Sequence, residues 1–441
     1  MLTYDKNSVD SIYDFAKKLT GKSLSELVDV PGGIDNSRNR GDLGSLIEKY
    51  FFGFVPPNTH EPDFPDAGEF GVELKTTGVK KIKGKYRAKE RLVMTMIDYK
   101  KIIDEKWENS VFYKKCRLLL ILFYLYEKDI PVQNRKFVLD PLLYSFLTRD
   151  EEVIRRDWET IKDKIVSGKA HELSEGDTIF LGACRKGSGG ASEKLRSQPK
   201  STIKAKARAF SFKPEFLNSI LDEHISGKLA PIETRKGMSF EEITLKKFEP
   251  YLGKTLNDIC KSLNYSVSKL RDKSFEAKIV KRILEDGQIS RIDLDRAGII
   301  VKTVRLRNGK LKESISFPSF KFLDIVKGNW EDSDLFNLIE RKFLFVVVEI
   351  SSNKDSILKS LGYWNMPYSD RQEVEKVWLR TKNEVAKGAK NLPKQSESNV
   401  VHVRPHARNR NDVLITPKGN YEVKRSFWLN REYVEKIINK F

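Results

Sequence analysis

The second half of this 441-residue chain repeats the first in outline, and an internal repeat restricts the fold more tightly than any single segment does. Thr20-Gly-Lys-Ser-Leu-Ser-Glu-Leu is echoed by Leu252-Gly-Lys-Thr-Leu-Asn-Asp-Ile, Gly71-Val-Glu-Leu-Lys-Thr by Gly298-Ile-Ile-Val-Lys-Thr, and Arg117-Leu-Leu-Leu-Ile-Leu by Lys342-Phe-Leu-Phe-Val-Val. Trp158 and Gly168 have the same separation as Trp378 and Gly388, and Ala209-Phe210 is matched by Ser426-Phe427. Each pair is short, but their shared order and slowly changing offset point to a diverged duplication. Two related domains are therefore expected, over residues 1–230 and 240–441, joined where Gly, Pro and charged residues cluster between Lys228 and Ser239.

Within the first copy, Ile12, Phe15, Ala16 and Leu19 recur at helical spacing, so a helix is expected from about Val9 to Val28. Pro31-Gly-Gly and the polar run Asn36 to Arg40 break it. Leu46, Ile47, Tyr50 and Phe51 mark a second amphipathic helix, Leu43 to Phe52, ending near Gly53. Pro56, Pro57, Pro62 and Pro65 force an irregular passage before a stretch from Phe70 to Thr77 that alternates like a strand. Arg117 to Tyr126 is continuously apolar and suits a buried strand, and helix returns from Glu151 to Val166. The expected class is α/β, each copy a central mixed sheet flanked by helices.

Lys and Arg number 81 against 62 Asp and Glu, a formal charge of +19 spread along the chain, which attracts polyanions. No basic amphipathic helix with a clean apolar face argues for an anionic membrane instead. Cys116, Cys184 and Cys260 are odd in number and widely spaced, which disfavours a disulfide framework or a zinc site. With no apolar leader at Met1 and no stretch of membrane-spanning length, a reducing cytoplasm is the expected location. His60, His171 and His224 read as structural or exposed, and His402 and His406 as part of a basic loop around Arg404.

The segment Pro65-Asp-Ala-Gly-Glu-Phe-Gly-Val-Glu-Leu-Lys-Thr-Thr carries the chemistry. Strand periodicity sends Glu73 and Lys75 to one face and Val72 and Leu74 to the other. Asp66 in the preceding bend and Glu48 on the preceding helix are able to converge with them, while Asp63 and Glu69 compete for the same role. Carboxylates holding Mg²⁺ beside a lysine would supply what phosphodiester hydrolysis needs: a positioned water, charge neutralisation and help for the departing oxygen. By itself, so short a pattern more often marks a solvated ion-paired face.

Gly44-Ser-Leu-Ile-Glu-Lys-Tyr-Phe-Phe-Gly, followed by Pro65-Asp and Gly71-Val-Glu-Leu-Lys-Thr, resembles the MutH family of GATC-directed nucleases with a PD-(D/E)xK site. The likeness extends to Gly168-Lys-Ala-His-Glu-Leu-Ser-Glu-Gly, Ile203-Lys-Ala-Lys-Ala-Arg-Ala-Phe-Ser and His402-Val-Arg-Pro-His, so that both halves are covered, as in a restriction enzyme of the family. The resemblance implies a Mg²⁺-dependent type II restriction endonuclease of the bacterial cytoplasm. It would cut double-stranded DNA 5′ of the G in GATC, by dimerisation on DNA or by sequential cutting. A mismatch-repair nickase and a noncatalytic GATC-binding regulator are the rivals.

Carried across by resemblance, the catalytic residues are Glu48, Asp66, Glu73 and Lys75, with Asp66 and Glu73 on the metal. A further active-site lysine falls on Lys114, with Lys115 adjacent. In the second copy Ile300 stands where Glu73 does and Lys281 where Glu48 does, although Asp293 and Lys302 persist. That half is expected to be catalytically dead, serving as a DNA-binding or allosteric module. The family's Arg-Pro loop and later aromatic fall there on Arg404, Pro405 and Trp428. In the first copy the loop reads Cys184-Arg-Lys-Gly-Ser-Gly-Gly, leaving Arg185 and Lys186 for base edges or phosphate.

Overall fold

Two nearly continuous apolar stretches, Leu119–Leu125 and Phe343–Ile350, become the central strands of two four-stranded sheets. A strand covered on both faces has no solvent side to mark with polar residues, hence the unbroken run. The computed structural model describes residues 3–30, 42–54, 60–147, 149–187, 195–227, 238–265, 275–285, 291–311, 314–351 and 355–441. The polar run Asn36 to Arg40, Gly189 and Gly190, and residues 228–237 of the expected junction lie outside the described residues. The chain divides into two compact units, Met1–Leu173 with Thr178–Ile232, and Ser174–Asp177 with Glu233–Phe441.

In the first unit, β1 (Glu73–Ile82) turns back through Lys83-Gly84 into the antiparallel β2 (Lys85–Ala88). On its other side β1 lies parallel to β4 (Leu119–Leu125), which pairs with β5 (Leu142–Tyr144) to give the order β2-β1-β4-β5. A second sheet sets β3 (Leu92–Met96) and β6 (Leu181–Arg185) either side of β9 (Arg208–Phe212), all antiparallel, with a hairpin of β7 (Arg196–Gln198) and β8 (Ser201–Ala205) between β6 and β9. Helices α1 (Val9–Lys17), α2 (Asp42–Leu46), α3 (Val111–Cys116), α4 (Glu151–Val166) and α5 (Pro214–Ser226) complete the unit. Val72 and Leu74 join Ile12, Phe15, Ile47, Phe51 and Leu120 in its core.

The second unit has the same plan. Strands β10 (Ile300–Arg307) and β13 (Phe343–Ile350) are parallel, flanked by β11 (Lys310–Leu311) and β14 (Ser356–Trp364) in the order β11-β10-β13-β14. Strands β12 (Ile315–Phe320) and β15 (Val401–Pro405) pair with β18 (Arg425–Leu429), and a hairpin of β16 (Val413–Ile415) and β17 (Tyr421–Val423) lies between β15 and β18. Trp158 packs on Trp107 at 5.8 Å between ring centroids, as Trp378 does on Trp330 at 5.7 Å. Each unit is thus a mixed sheet flanked by helices, matched strand for strand.

One expected helix is cut short. Helix α1 ends at Lys17 rather than near Val28, because Gly21 takes φ +78° and swings the chain onto Phe137. The Gly21 N–H donates to the Phe137 carbonyl at 2.7 Å, and the Phe137 N–H to that of Lys22 at 2.8 Å. Within the second unit Gly253, at φ +76°, turns in the same way, its N–H donating to the Leu358 carbonyl at 2.8 Å while the Leu358 N–H donates to the Lys254 carbonyl at 3.0 Å. The repeated Gly-Lys pair is therefore a left-handed turn that only glycine enters freely, pinned to a neighbouring extended segment through the glycine N–H and the lysine carbonyl. Cys116, Cys184 and Cys260 are buried and unpaired, and among the described residues no helix is long and apolar enough to cross a membrane.

Candidate active site

Glu73 opens β1 opposite Leu119, with Lys75 opposite Ile121. As the alternation requires, Val72 and Leu74 enter the core while Glu73 and Lys75 meet on the other face, Lys75 Nζ 2.5 Å from Glu73 Oε1. A second ammonium, Lys115 Nζ from α3, stands 3.4 Å from Glu73 Oε2. That oxygen is buried and has the ion pair but no hydrogen bond of good geometry. Lys115, and not Lys114, reaches the site, because consecutive helical residues point in different directions: Lys114 is exposed on the outer face of α3.

The aspartate that arrives is Asp63. Phe64 and Val72 bridge as an antiparallel pair, each donating to the other's carbonyl at 2.9 Å, so residues 65–71 close into a loop. Asp63 lies just outside the base of that loop, beside β1, and its Oδ2 accepts the Leu74 N–H at 2.9 Å. Asp66 and Glu69 lie on the loop itself and are exposed. Gly71 makes the closure possible: at φ +68° an added Cβ would lie 2.8 Å from Pro62 Cγ and 3.0 Å from the Phe64 carbonyl. Gly71→Ala is expected to cost on the order of 2 kcal/mol and to loosen Asp63, measured as a lower urea midpoint together with lost cleavage. A variant as stable and active as the parent would contradict this account of the loop.

Glu48 comes from a π turn, Ile47–Phe51, that continues α2. Such a turn inserts an extra residue and re-aims the side chains on it, a device common at functional sites. Gly44, one turn earlier, lets the helix approach β1 closely, since its Cβ would meet Thr76 Oγ1 at 3.1 Å. Glu48 is half-buried, and its carboxyl is pushed up by that burial and by the neighbouring Asp63, against the pull of Lys75 and Lys115.

Electrostatically these groups act as one cluster. Burial pushes the Glu73 carboxyl from 4.5 to about 7, partly offset by Lys75, with Asp63 adding to the rise and Lys115 opposing it. Burial pulls the Lys75 ammonium down, but Glu73 above all, then Cys116 and Asp63, leave it above its ordinary value and cationic. The Cys116 thiol beneath the pair is pushed far up by burial and by Glu73, so it stays protonated.

The donor set of Glu48, Asp63 and Glu73 consists of hard carboxylate oxygens, and Glu73 Oε2 is a buried acceptor lacking a hydrogen bond. Both features fit Mg²⁺. Among the described residues no three acidic, His or Cys side chains form a ready cage. Mg²⁺ does not require one, because it keeps several waters and takes one or two protein carboxylates.

The second unit carries different residues at the matching positions. Ile300 opens β10 opposite Phe343 as Glu73 opens β1 opposite Leu119, and Lys302 repeats Lys75 two residues on. Lys302 is half-buried, and burial lowers its pKa. Helix Asp334–Ile339, capped by Ser333 as α3 is by Ser110, puts Leu338 where Lys115 stands. Lys281 is exposed and pairs with Glu285 at 3.4 Å. Asp293 lies in helix Arg291–Arg296.

Of the expected DNA contacts, Arg404 and Trp428 come together, the guanidinium 4.4 Å from the indole centroid, with the His406 ring 5.3 Å from the same indole. Pro405 is exposed at the end of β15. Trp428 Nε1 is buried without a hydrogen-bond partner among the described residues. In the first unit Arg185 ends β6 opposite Arg208, Lys186 follows, and Ser211 occupies the register of Trp428.

A family model described as the DNA mismatch repair enzyme MutH matches residues 52–157, a span that includes Asp63, Glu73, Lys75 and Lys115. The chain is 32% identical to the type II restriction enzyme Sau3AI of Staphylococcus aureus, over 97% of this chain and 98% of that protein. It is 29% identical to the DNA mismatch repair protein MutH of Serratia proteamaculans over 48% of this chain and 92% of that protein, and 31% identical to the MutH of Yersinia pseudotuberculosis over 37% and 69%. Likeness to the repair proteins thus covers about half of this chain, whereas likeness to the restriction enzyme runs through both units. The chain therefore belongs to the MutH family, with a type II restriction enzyme as its full-length relative, and is a DNA-cleaving hydrolase.

Proposed function

We propose that the protein is a Mg²⁺-dependent type II restriction endonuclease that cuts double-stranded DNA at GATC, 5′ of the G, with a single active site in its first unit. The observation that carries this reading is the convergence of Glu48, Asp63, Glu73, Lys75 and Lys115 in one unit, against Ile300 and Leu338 at matching places in the other. Asp63 and Glu73 would hold the ion, with Glu48 supporting it. Bound there, Mg²⁺ would polarise a phosphoryl oxygen and make a coordinated water more acidic. Lys75, held cationic by Glu73, acts as a hydrogen-bond donor that orients the attacking water and stabilises charge on the phosphoryl oxygens, and not as the base that takes its proton. Lys115, beside Glu73, would add a second positive charge for the same phosphate.

The second unit is read as a noncatalytic GATC-binding module. Arg404 held over Trp428 gives it a preorganised guanidinium for a guanine edge, and Arg185 and Lys186, at the end of β6, would add positive charge toward DNA from the first unit. One cutting site and a palindromic target require dimerisation on DNA or two successive nicks. Incubating the purified protein with plasmid and Mg²⁺ and sequencing the ends tests activity, site and cut position together. Ends immediately 5′ of GATC are expected, and none in EDTA. Ends at unrelated sequences would refute the specificity, and nicks without double-strand breaks would favour a repair-type nickase.

A further inference from the structure

Between the last two paired strands of the smaller sheet, each unit carries a two-stranded hairpin that the active site does not use. In the second unit it is β16–β17, in which Ile415 and Tyr421 face one another across the strands and remain 41% and 69% exposed. An exposed cross-strand apolar pair steadies its own hairpin but leaves its outer surface in water, where a partner can cover it. Around it the charge is one-sided: residues 404–425 hold six Lys and Arg against two acids, Asp412 and Glu422. Asp412 is already engaged by Lys424 at the base of the hairpin, whereas Arg408, Arg410 and Lys418 are exposed.

The hairpin is continuous with the Arg404–Trp428 face. It leaves β15 directly after Arg404 and Pro405 and returns into β18 just before Trp428, and the His406 N–H donates to the Lys424 carbonyl at 2.8 Å across its base. It is also held in place. Thr416 N–H donates to the Asn420 carbonyl at 2.8 Å, Gly419 turns at φ +84°, and Lys418 Cγ lies 3.8 Å from the Cβ that Gly388 would carry.

The first unit builds the equivalent object from different residues. Hairpin β7–β8 joins β6 to β9, and its turn rests on Gly168, whose Cβ would lie 2.9 Å from the Lys200 carbonyl. Gln198 anchors it, accepting the Ala170 N–H at 2.7 Å and donating to the Ile203 carbonyl at 2.5 Å. Leu195 and Ile203 are 47% and 54% exposed, and residues 195–206 hold four Lys and Arg with no acid. The sequences share little. Place, exposed apolar residues and positive charge all recur.

We propose that these hairpins are DNA-gripping arms, that of the second unit laying the Ile415–Tyr421 pair against the sugar wall of a duplex groove with Arg408, Arg410 and Lys418 on the flanking phosphates. Aromatic and aliphatic surface set among cations suits a polyanion with apolar sugar and base faces. A hairpin already docked loses little conformational freedom on binding. The arm reads no bases, so it adds affinity to every sequence, while discrimination is left to Arg404. This rests on the reading of the second unit as a DNA-binding module.

The test uses the full chain with Glu73→Ala, which should bind without cutting, and a labelled duplex that either carries or lacks GATC. Ile415→Ser with Tyr421→Ala is expected to weaken binding to both duplexes alike, by about tenfold. Tyr421→Phe should stay within about twofold, since the ring is retained. Arg404→Ala should instead erase the preference for GATC. Unchanged affinity in the double variant with a native circular dichroism spectrum overturns the proposal, as does a loss confined to the GATC duplex. So does a parent dimer in sedimentation that the double variant dissolves, which would make a second copy the occupant. A parent that binds neither duplex overturns the underlying reading and the proposal together.

Discussion

Replacing Asp63 by Asn should lower cleavage of a GATC plasmid by on the order of 10³-fold or more, whereas Asp66→Asn should leave it within about threefold. The difference lies in the loop base. Asp63 is fixed to β1 by the Leu74 N–H and bears electrostatically on Glu48, Glu73 and Lys75, while Asp66 is exposed on the loop beyond the Phe64–Val72 bridge. An asparagine keeps the size of the side chain and an acceptor for Leu74 but gives up the charge that holds a cation. Lys115→Ala and Lys114→Ala form a parallel pair, the first expected to impair cutting strongly and the second little. Comparing the four variants under single-turnover conditions, after checking that each binds DNA, settles the set. Wild-type cutting by Asp63→Asn alongside a dead Asp66→Asn would reverse the assignment.

The ion-free protein should lose stability as the pH rises from about 5 to about 8, by on the order of 3 kcal/mol from Glu73 alone. Burial carries that carboxyl from 4.5 to about 7, with Lys75 and Lys115 only partly opposing it. Between those values the folded chain keeps a proton that the unfolded chain has released. The contribution is therefore complete below the lower value and disappears as the pH passes the upper one. Urea midpoints of the parent and of Glu73→Gln in metal-free buffer should converge in acid and separate in base, the parent becoming the weaker. A gap that does not change with pH would sink this account. Mg²⁺ should bind more tightly across the same interval, because ligation demands the carboxylate form.

The strand alternation of Val72 to Lys75, the apolar run at Leu119 to Leu125 and the echo between halves were all legible in the sequence, because each is a local period or a repeated order. The early end of α1 was not: Ile12 to Leu19 keep helical spacing, and only the distant partner Phe137 explains why Gly21 turns away. The choice between Asp63 and Asp66 was hidden for a related reason. Spacing to Glu73 says how far a carboxylate is along the chain, and a bridge that closes a loop makes the farther residue the nearer one. Lys114 and Lys115 differ by a single helical step, which decides orientation but leaves no mark in composition.

The second unit shares the Gly253 turn, the tryptophan pair and the strand order of the first, but has Ile300 in place of the acid and Leu338 in place of the lysine. Those two differences lie on separate elements, a strand and a helix, and neither compensates the other. Ile300→Glu alone would set one carboxylate beside Lys302 with Leu338 still opposite. Building a carboxylate–lysine site there would take both changes together, so either substitution alone is expected to give no hydrolysis from the second unit.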